Sequence, residues 1–367
     1  MNTAENRIPS LDGLRAISIL IVVASHVSLS HLQADRFFLT GNLGVRIFFI
    51  ISGFLITSIL LGEYRKKSGI DLKKFYFRRT FRIFPAYLFF LGFMAFFTIL
   101  GLFSAKDFLA PLTYTTNYFF ASTPGELNHT WSLAVEEQFY LIFPVVLALF
   151  GLTNFKRFLL VVLLVTPLIR LFALLTPATF GRPEYLGVAW NFHTNMDILA
   201  SGCFLALFRN ELHANAYYRA FLQSSLPLAV LVPLILLLGY TADAQLAVFY
   251  GVGMTVMNFA IVFCIDWLIV NQQSRAGRFL NLRPLKFIGA LSYSIYLWQQ
   301  PFTFYSEISP WTHFPYNLIL LSGFSLFTYY FIEKRFLDLR QEFEKKWFPP
   351  KEIENLPQTN LNYGSNS

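Results

Sequence analysis

Ten apolar stretches alternate with polar segments along the chain, near 14–31, 43–61, 83–103, 131–151, 158–176, 196–208, 224–240, 246–270, 287–304 and 315–332. A helix needs about 20 predominantly apolar residues to cross a bilayer. The pattern therefore predicts an all-α fold, a polytopic membrane helical bundle of about ten transmembrane helices, with 196–208 the shortest. The first stretch, LRAISILIVVASHVSLSH, carries Arg15 at its start and His26 inside it. At about 100° per residue the pair shares one helical face, with ~16 Å between them along the axis. Titratable groups in hydrocarbon are costly and are tolerated facing a polar interior, so the bundle is expected to be organised around this face.

The polar segments set the orientation. Gly62 to Arg82 holds Arg65, Lys66, Lys67, Lys73, Lys74, Arg78, Arg79 and Arg82, and alternate segments after it are again basic. Those segments, the tail, Arg7 and Arg15 contain 24 of the 29 Lys and Arg residues; Arg36, Arg46, Lys106, Arg170 and Arg182 fall to the other side. Cytoplasmic loops carry the excess of Lys and Arg, so both termini are expected inside (N-in, C-in). The transmembrane domain is expected to cover 1–340, and the polar tail 341–367 to be cytoplasmic and disordered. The polar N-terminus before the first apolar run has no expected signal-peptide cleavage site.

Composition agrees: 55% of residues are hydrophobic and 14% charged, against ~25% charged in an ordinary soluble domain. The net charge of +8 is accounted for by the inner loops, and no nucleic-acid partner is read from it. Cys203 and Cys264 lie in apolar stretches and are expected to be free, buried thiols. The spacings of the six histidines suit no metal site, and none is expected.

Three stretches carry candidate chemistry. His26 is a natural proton acceptor near neutral pH; its other reading is a hydrogen bond to a neighbouring helix. In HTWSLAVEEQFYLIFP, 129–144, Glu136 and Glu137 open an otherwise apolar helix, and Glu136 shares a face with Ser132 and Tyr140. A carboxylate there could orient His26, or the two glutamates could be a solvated interfacial pair. In YFRRTFRIFP, 76–85, Arg79 and Arg82 share a face suited to phosphates, although a basic inner loop facing anionic lipid explains them as well. Asp197 reads as a structural interface residue. Ser52, beside a glycine, reads as a close-packing position. Tyr293, Tyr296 and Trp298 read as aromatic belt and pocket lining. Glu333 is expected to pair with Lys334, Arg335 or another loop.

Together these segments resemble the acyltransferase-3 family of membrane acyltransferases. The matching stretches are IPSLDGLRAISILIVVASH with Arg15 and His26, GVRIFFIISGFLIT, FYFRRTFRIFPAYL with Arg79 and Arg82, HTWSLAVEEQFYLIFP, FIGALSYSIYLWQQP and, as a variant, FIEKRF. The resemblance covers about residues 8–340. It implies transfer of an acyl group, usually acetyl, from cytoplasmic acetyl-CoA to a hydroxyl of a cell-surface or lipid-linked glycan, such as O-antigen lipopolysaccharide, peptidoglycan or a Nod factor. It implies His26 as catalytic residue, with Glu136, aligned with the family's motif glutamate, beside it. Arg15, Arg79 and Arg82 become CoA or structural contacts, and Trp131, Tyr140 and Tyr296 candidate substrate-binding residues. Some members add an extracytoplasmic SGNH esterase-like domain. This sequence resembles the stand-alone type, acting directly or through a separate extracytoplasmic acceptor protein, in the plasma (inner) membrane of a bacterium. The rival reading is a transporter or flippase of an acylated or glycan substrate, which intramembrane Arg, His and Glu would serve equally well.

Overall fold

Among the described residues each of the ten apolar stretches overlaps a helical segment of the computed structural model, which describes residues 8–32, 38–101, 108–119, 123, 125–175, 189–241, 248–303 and 310–349. The long helices are α1 (Pro9–Leu32), α2 (Phe38–Lys67), α3 (Leu72–Ile99), α4 (Thr130–Leu175), α5 (Phe192–Ala214), α6 (Leu226–Thr241), α7 (Met254–Val270), α8 (Arg283–Thr303), α9 (Tyr316–Phe327) and α10 (Lys334–Trp347). A π-helical turn, Phe249–Gly253, leads into α7, and another, Thr328–Glu333, joins α9 to α10. No β-strand occurs among the described residues.

The number of helices that are long and apolar enough to cross a membrane is smaller than the ten expected. Among the described residues five qualify: Ser10–Val27, Gly41–Lys67, Leu72–Ile99, Thr130–Leu174 and Phe249–Val270. A sixth arises if Ala216–Gln223 and Leu226–Tyr240, bent by 81° at their joint, count as one. Two physical reasons account for the difference. At 1.5 Å per residue the 46 residues of α4 would extend ~70 Å, more than twice a ~30 Å hydrocarbon core. Gly151, at φ 70° and ψ 176°, breaks α4 between the expected stretches 131–151 and 158–176. Other helices are too polar or too short: α5 carries Asn195, Asp197 and Arg209, α8 carries Gln299 and Gln300, and α6 and α9 have only 16 and 12 residues.

Helix α1 packs between α2 and α8, and α2 also packs along α5. Small residues permit both approaches. A Cβ on Gly289 of α8 would lie 1.9 Å from the Asp12 carbonyl oxygen, and one on Gly53 of α2 would lie 2.1 Å from that of Leu199. The backbones can come this close only without side chains. Gly53 thus takes the close-packing role and leaves Ser52 to point elsewhere.

Several expectations are corrected by burial. Arg46 and Arg170, counted only in the charge tally, are 2% and 0% exposed within α2 and α4. Trp298 is core, not belt; it is wholly buried among Phe90, Phe93 and Phe324, and its Nε1 donates to Thr328 Oγ1 at 2.7 Å. The expected boundary at 340 falls inside α10, which runs to Trp347 and docks on α3 through Phe77 against Trp347 and Phe81 against Phe343. Cys203 and Cys264 are free and buried. Residues 1–7 and 350–367, including the expected disordered tail end, and the loop positions Arg36, Lys106 and Arg182 lie outside the described residues.

Candidate active site

The charged residues of the resemblance motifs meet at one level of the bundle. Asp71 caps α3 by accepting from the Lys74 backbone N–H at 2.9 Å, and the next turns present Arg78, Arg79 and Arg82. Arg79 turns inward: its guanidinium carbon lies 3.5 Å from the Tyr140 ring centroid. Its Nη2 lies 3.5 Å from Glu136 Oε1 and its Nε 4.0 Å from Glu137 Oε1. Glu136 accepts from Ser52 at 2.5 Å and from the Tyr140 hydroxyl. Arg15 lies within the electrostatic reach of Glu136, Arg82 and Asp12. Arg82 Nη1 is 3.4 Å from Glu333 Oε2, and Ser294 donates to the other oxygen of that carboxylate. Glu333 therefore pairs across to α3 and α8 instead of with Lys334 or Arg335, because residues adjacent on a helix point to different faces.

His26 is not joined to Glu136. It lies beside the Gln299 side chain and the Val22 backbone. Glu136 itself is held by Ser52, Tyr140 and Arg79. The cause is axial rise: His26 lies ~16 Å along α1 from Arg15, and Glu136 sits at the Arg15 level. His129, seven residues before Glu136, is the α4-side group that lies near His26. It is buried between the rings of Phe90 and Tyr296, and neither ring nitrogen completes a hydrogen bond. The Tyr296 hydroxyl contacts Ser132 and donates to the His129 carbonyl at 3.0 Å. Trp131 is buried edge-on to Phe49. Tyr140 is also buried, as a partner of Arg79 and Glu136, and not as open pocket lining.

A polar line therefore runs through the helices, from Arg82–Glu333–Ser294 through Arg15 and Arg79–Glu136–Ser52 to Tyr296–Ser132 and His26–Gln299. It leaves donors unused: Arg15 Nε and Arg79 Nε are buried and complete no hydrogen bond. Unsatisfied guanidinium donors near neighbouring carboxylates suit an anionic substrate group such as a phosphate. An apolar groove of about 440 Å³ lined by Leu163, Leu231, Val252 and Phe259 includes none of these residues.

Sequence reasoning missed Gln299, His129 and a second buried cluster. There Arg170 forks onto Asp197 at 2.8 and 3.0 Å and also donates to the carbonyls of Tyr250 and Thr194 and to the Thr255 hydroxyl. Arg46 Nη1 donates to Asn258 at 3.0 Å beside it. The available signal was a lone arginine inside each of two apolar windows.

This arrangement of motif residues is that of a membrane acyltransferase domain. The chain belongs to the Acyl_transf_3 acyltransferase domain family, whose model matches residues 8–334. Among curated relatives, the O-acetyltransferase OatA of Staphylococcus aureus (strain NCTC 8325) is 33% identical over 315 residues, covering 80% of this chain and 50% of that protein. The putative peptidoglycan O-acetyltransferase YrhL of Bacillus subtilis (strain 168) is 30% identical over 363 residues, 89% of this chain and 54% of its own. The peptidoglycan O-acetyltransferase OatA of Listeria monocytogenes is 30% identical over 319 residues, 80% and 49% respectively. The chain thus spans about half the length of these relatives. No solved structure matches it.

Proposed function

We propose that this chain is a multi-pass membrane O-acetyltransferase that takes acetyl from acetyl-CoA at the cytoplasmic face and delivers it to a hydroxyl of a glycan at the outer face. The polar line through the bundle carries this reading, and family membership together with the relatives' names favours transfer over transport. Peptidoglycan or its lipid-linked precursor is the acceptor class the relatives suggest; a separate acceptor protein remains compatible with the chemistry. The alternation of basic segments supports ten passes with both termini inside, in the bacterial plasma membrane.

In this reading Arg15, Arg79 and Arg82 hold the phosphates of the donor at the inner end. The pantetheine arm lies along the line toward His26. A thioester is already activated, so the residues must position it, deprotonate the hydroxyl and stabilise the oxyanion. His26 takes the hydroxyl proton, the oxygen attacks the acetyl carbonyl, and the thiolate leaves and is reprotonated. In the alternative route His26 first accepts the acetyl group itself. Gln299 orients the imidazole, and Trp131 and Tyr296 line the approach of the acceptor.

Inverted membrane vesicles carrying the protein would be given radiolabelled acetyl-CoA, and label followed into extractable glycan. Label is expected with wild type and at least about 100-fold less with His26→Ala, in protein that elutes as a single folded species in detergent. Equal labelling by both would remove His26 from the chemistry.

A further inference from the structure

The basic face of α3 continues outward from the site to a contact that the transfer chemistry does not use. Arg78 grips Glu344 of α10 with both prongs of its guanidinium, Nε to Oε2 at 2.9 Å and Nη2 to Oε1. Lys74 Nζ lies 3.3 Å from the same carboxylate. A planar two-pronged grip is also what arginine offers a phosphate. Arg340, one turn earlier on α10, lies within the electrostatic reach of Glu344, Arg78 and Arg82. Its Nε is buried and has no hydrogen-bond partner. Four cations, Lys74, Arg78, Arg82 and Arg340, thus surround two carboxylates, Glu333 and Glu344. The Arg78 side chain is 43% exposed, so a soluble ligand can reach the cluster.

We propose that Lys74, Arg78 and Arg340 form a phosphate site for the acyl donor, which Glu344 occupies as an internal stand-in until the donor arrives. The inference rests on the donor reading above. An incoming phosphate displaces the Glu344 carboxylate from Arg78 and Lys74 and gives the unused Arg340 donor a partner. Neutralising Glu344 must then strengthen donor binding, because it removes a competitor. A carboxylate that merely fastens α10 to α3 has the opposite consequence, since its loss disorders the cations. The shared chemistry, a phosphate group, could come from CoA or from a lipid headgroup at the membrane surface.

The test is the dissociation constant of CoA for the full chain in a neutral detergent, for wild type, Glu344→Gln and Arg340→Gln. Glu344→Gln is expected to tighten binding about fivefold and Arg340→Gln to weaken it by a similar factor, the scale of one exposed ion pair. Unchanged or weaker binding by Glu344→Gln would overturn the proposal. So would tightening seen only with phosphatidylglycerol micelles, which would assign the cluster to lipid. Should Glu344→Gln fail to fold, Arg340→Gln decides: its Nε holds nothing in the structure, so a fastener role predicts no change in CoA binding. Wild type that neither binds CoA nor transfers acetyl would bring down the donor reading itself. Wild type that does both, with no gain in Glu344→Gln, would bring down only this site.

Discussion

The arginine–carboxylate clusters around Arg170 and Arg79 differ in one respect that composition hides. Around Arg170 every donor is used: its five N–H groups go to Asp197, Thr194, Tyr250 and Thr255, and both Arg170 and Asp197 are 0% exposed. Around Arg79 the contacts are longer, 3.5 Å to Glu136 and 4.0 Å to Glu137, and Arg79 Nε and Arg15 Nε complete no hydrogen bond. A buried charge pair with every lone pair and proton satisfied fixes the register of helices. One with unused donors is arranged for something that is not protein. Unused hydrogen-bond capacity, more than burial, separates the candidate site from the fastener.

The largest effect expected is on the fastener. Arg170→Met leaves Asp197 buried without its cation, and breaking a buried pair in this way costs about 3–5 kcal/mol. Thermal unfolding in detergent is expected to show most of the protein lost. Adding Asp197→Leu is expected to restore much of the stability, because the stranded charge is then gone as well. A stable but inactive Arg170→Met would reverse the assignment of the two clusters.

Next comes the open cluster. Arg79→Lys keeps the charge but loses the planar fork and the stacking on Tyr140. Acetyl transfer is expected to fall about 100-fold, the scale of losing one well-placed donor, with little change in the unfolding temperature. If stability falls as it does for Arg170→Met while the residual folded protein stays fully active, Arg79 is a second fastener and the contrast between the clusters is lost.

The helices and the meeting of the motifs were legible in the sequence because apolar runs and charged breaks are one-dimensional signals. Arg79 with Arg82, Glu136 with Tyr140, and Arg15 on the face of His26 follow from helical spacing; the pairing of Arg79 with Glu136 across two helices does not. What was not legible was depth. Spacing alone could not tell that Glu136 stops at the Arg15 level and that Gln299, from a helix more than 270 residues away in sequence, lies beside His26. Arg46 and Arg170 were counted only as residues outside the cytoplasmic set, because the positive-inside pattern does not ask what an arginine within an apolar window pairs with. The break at Gly151 was legible, because Thr153, Asn154, Lys156 and Arg157 follow it; the near-continuous helix on either side was not.

The smallest effect concerns the partly exposed pair on the outer rim of the same basic face. Burial pushes the Glu344 carboxyl up, but the hydrogen bonds and charges of Arg78 and Lys74 outweigh it, so the group titrates below the ordinary carboxylate range in the folded protein. A depressed folded pKa contributes stability above the unfolded pKa and loses it as pH falls through the folded value. Wild type is therefore expected to unfold at a slightly higher temperature than Glu344→Gln near neutrality, by the equivalent of less than about 1 kcal/mol for so exposed a pair. The difference should close as pH drops below about 4. Paired melts of the two proteins across that range would check it. A difference that persists at acid pH would mean that Glu344 acts through packing against α3 and not through its charge. That result would also count against its role as a stand-in for phosphate, which depends on charge alone. Closure at acid pH would complete a gradient across the molecule: a sealed pair whose loss unfolds it, an open cluster whose loss silences it, and a rim pair that can let go.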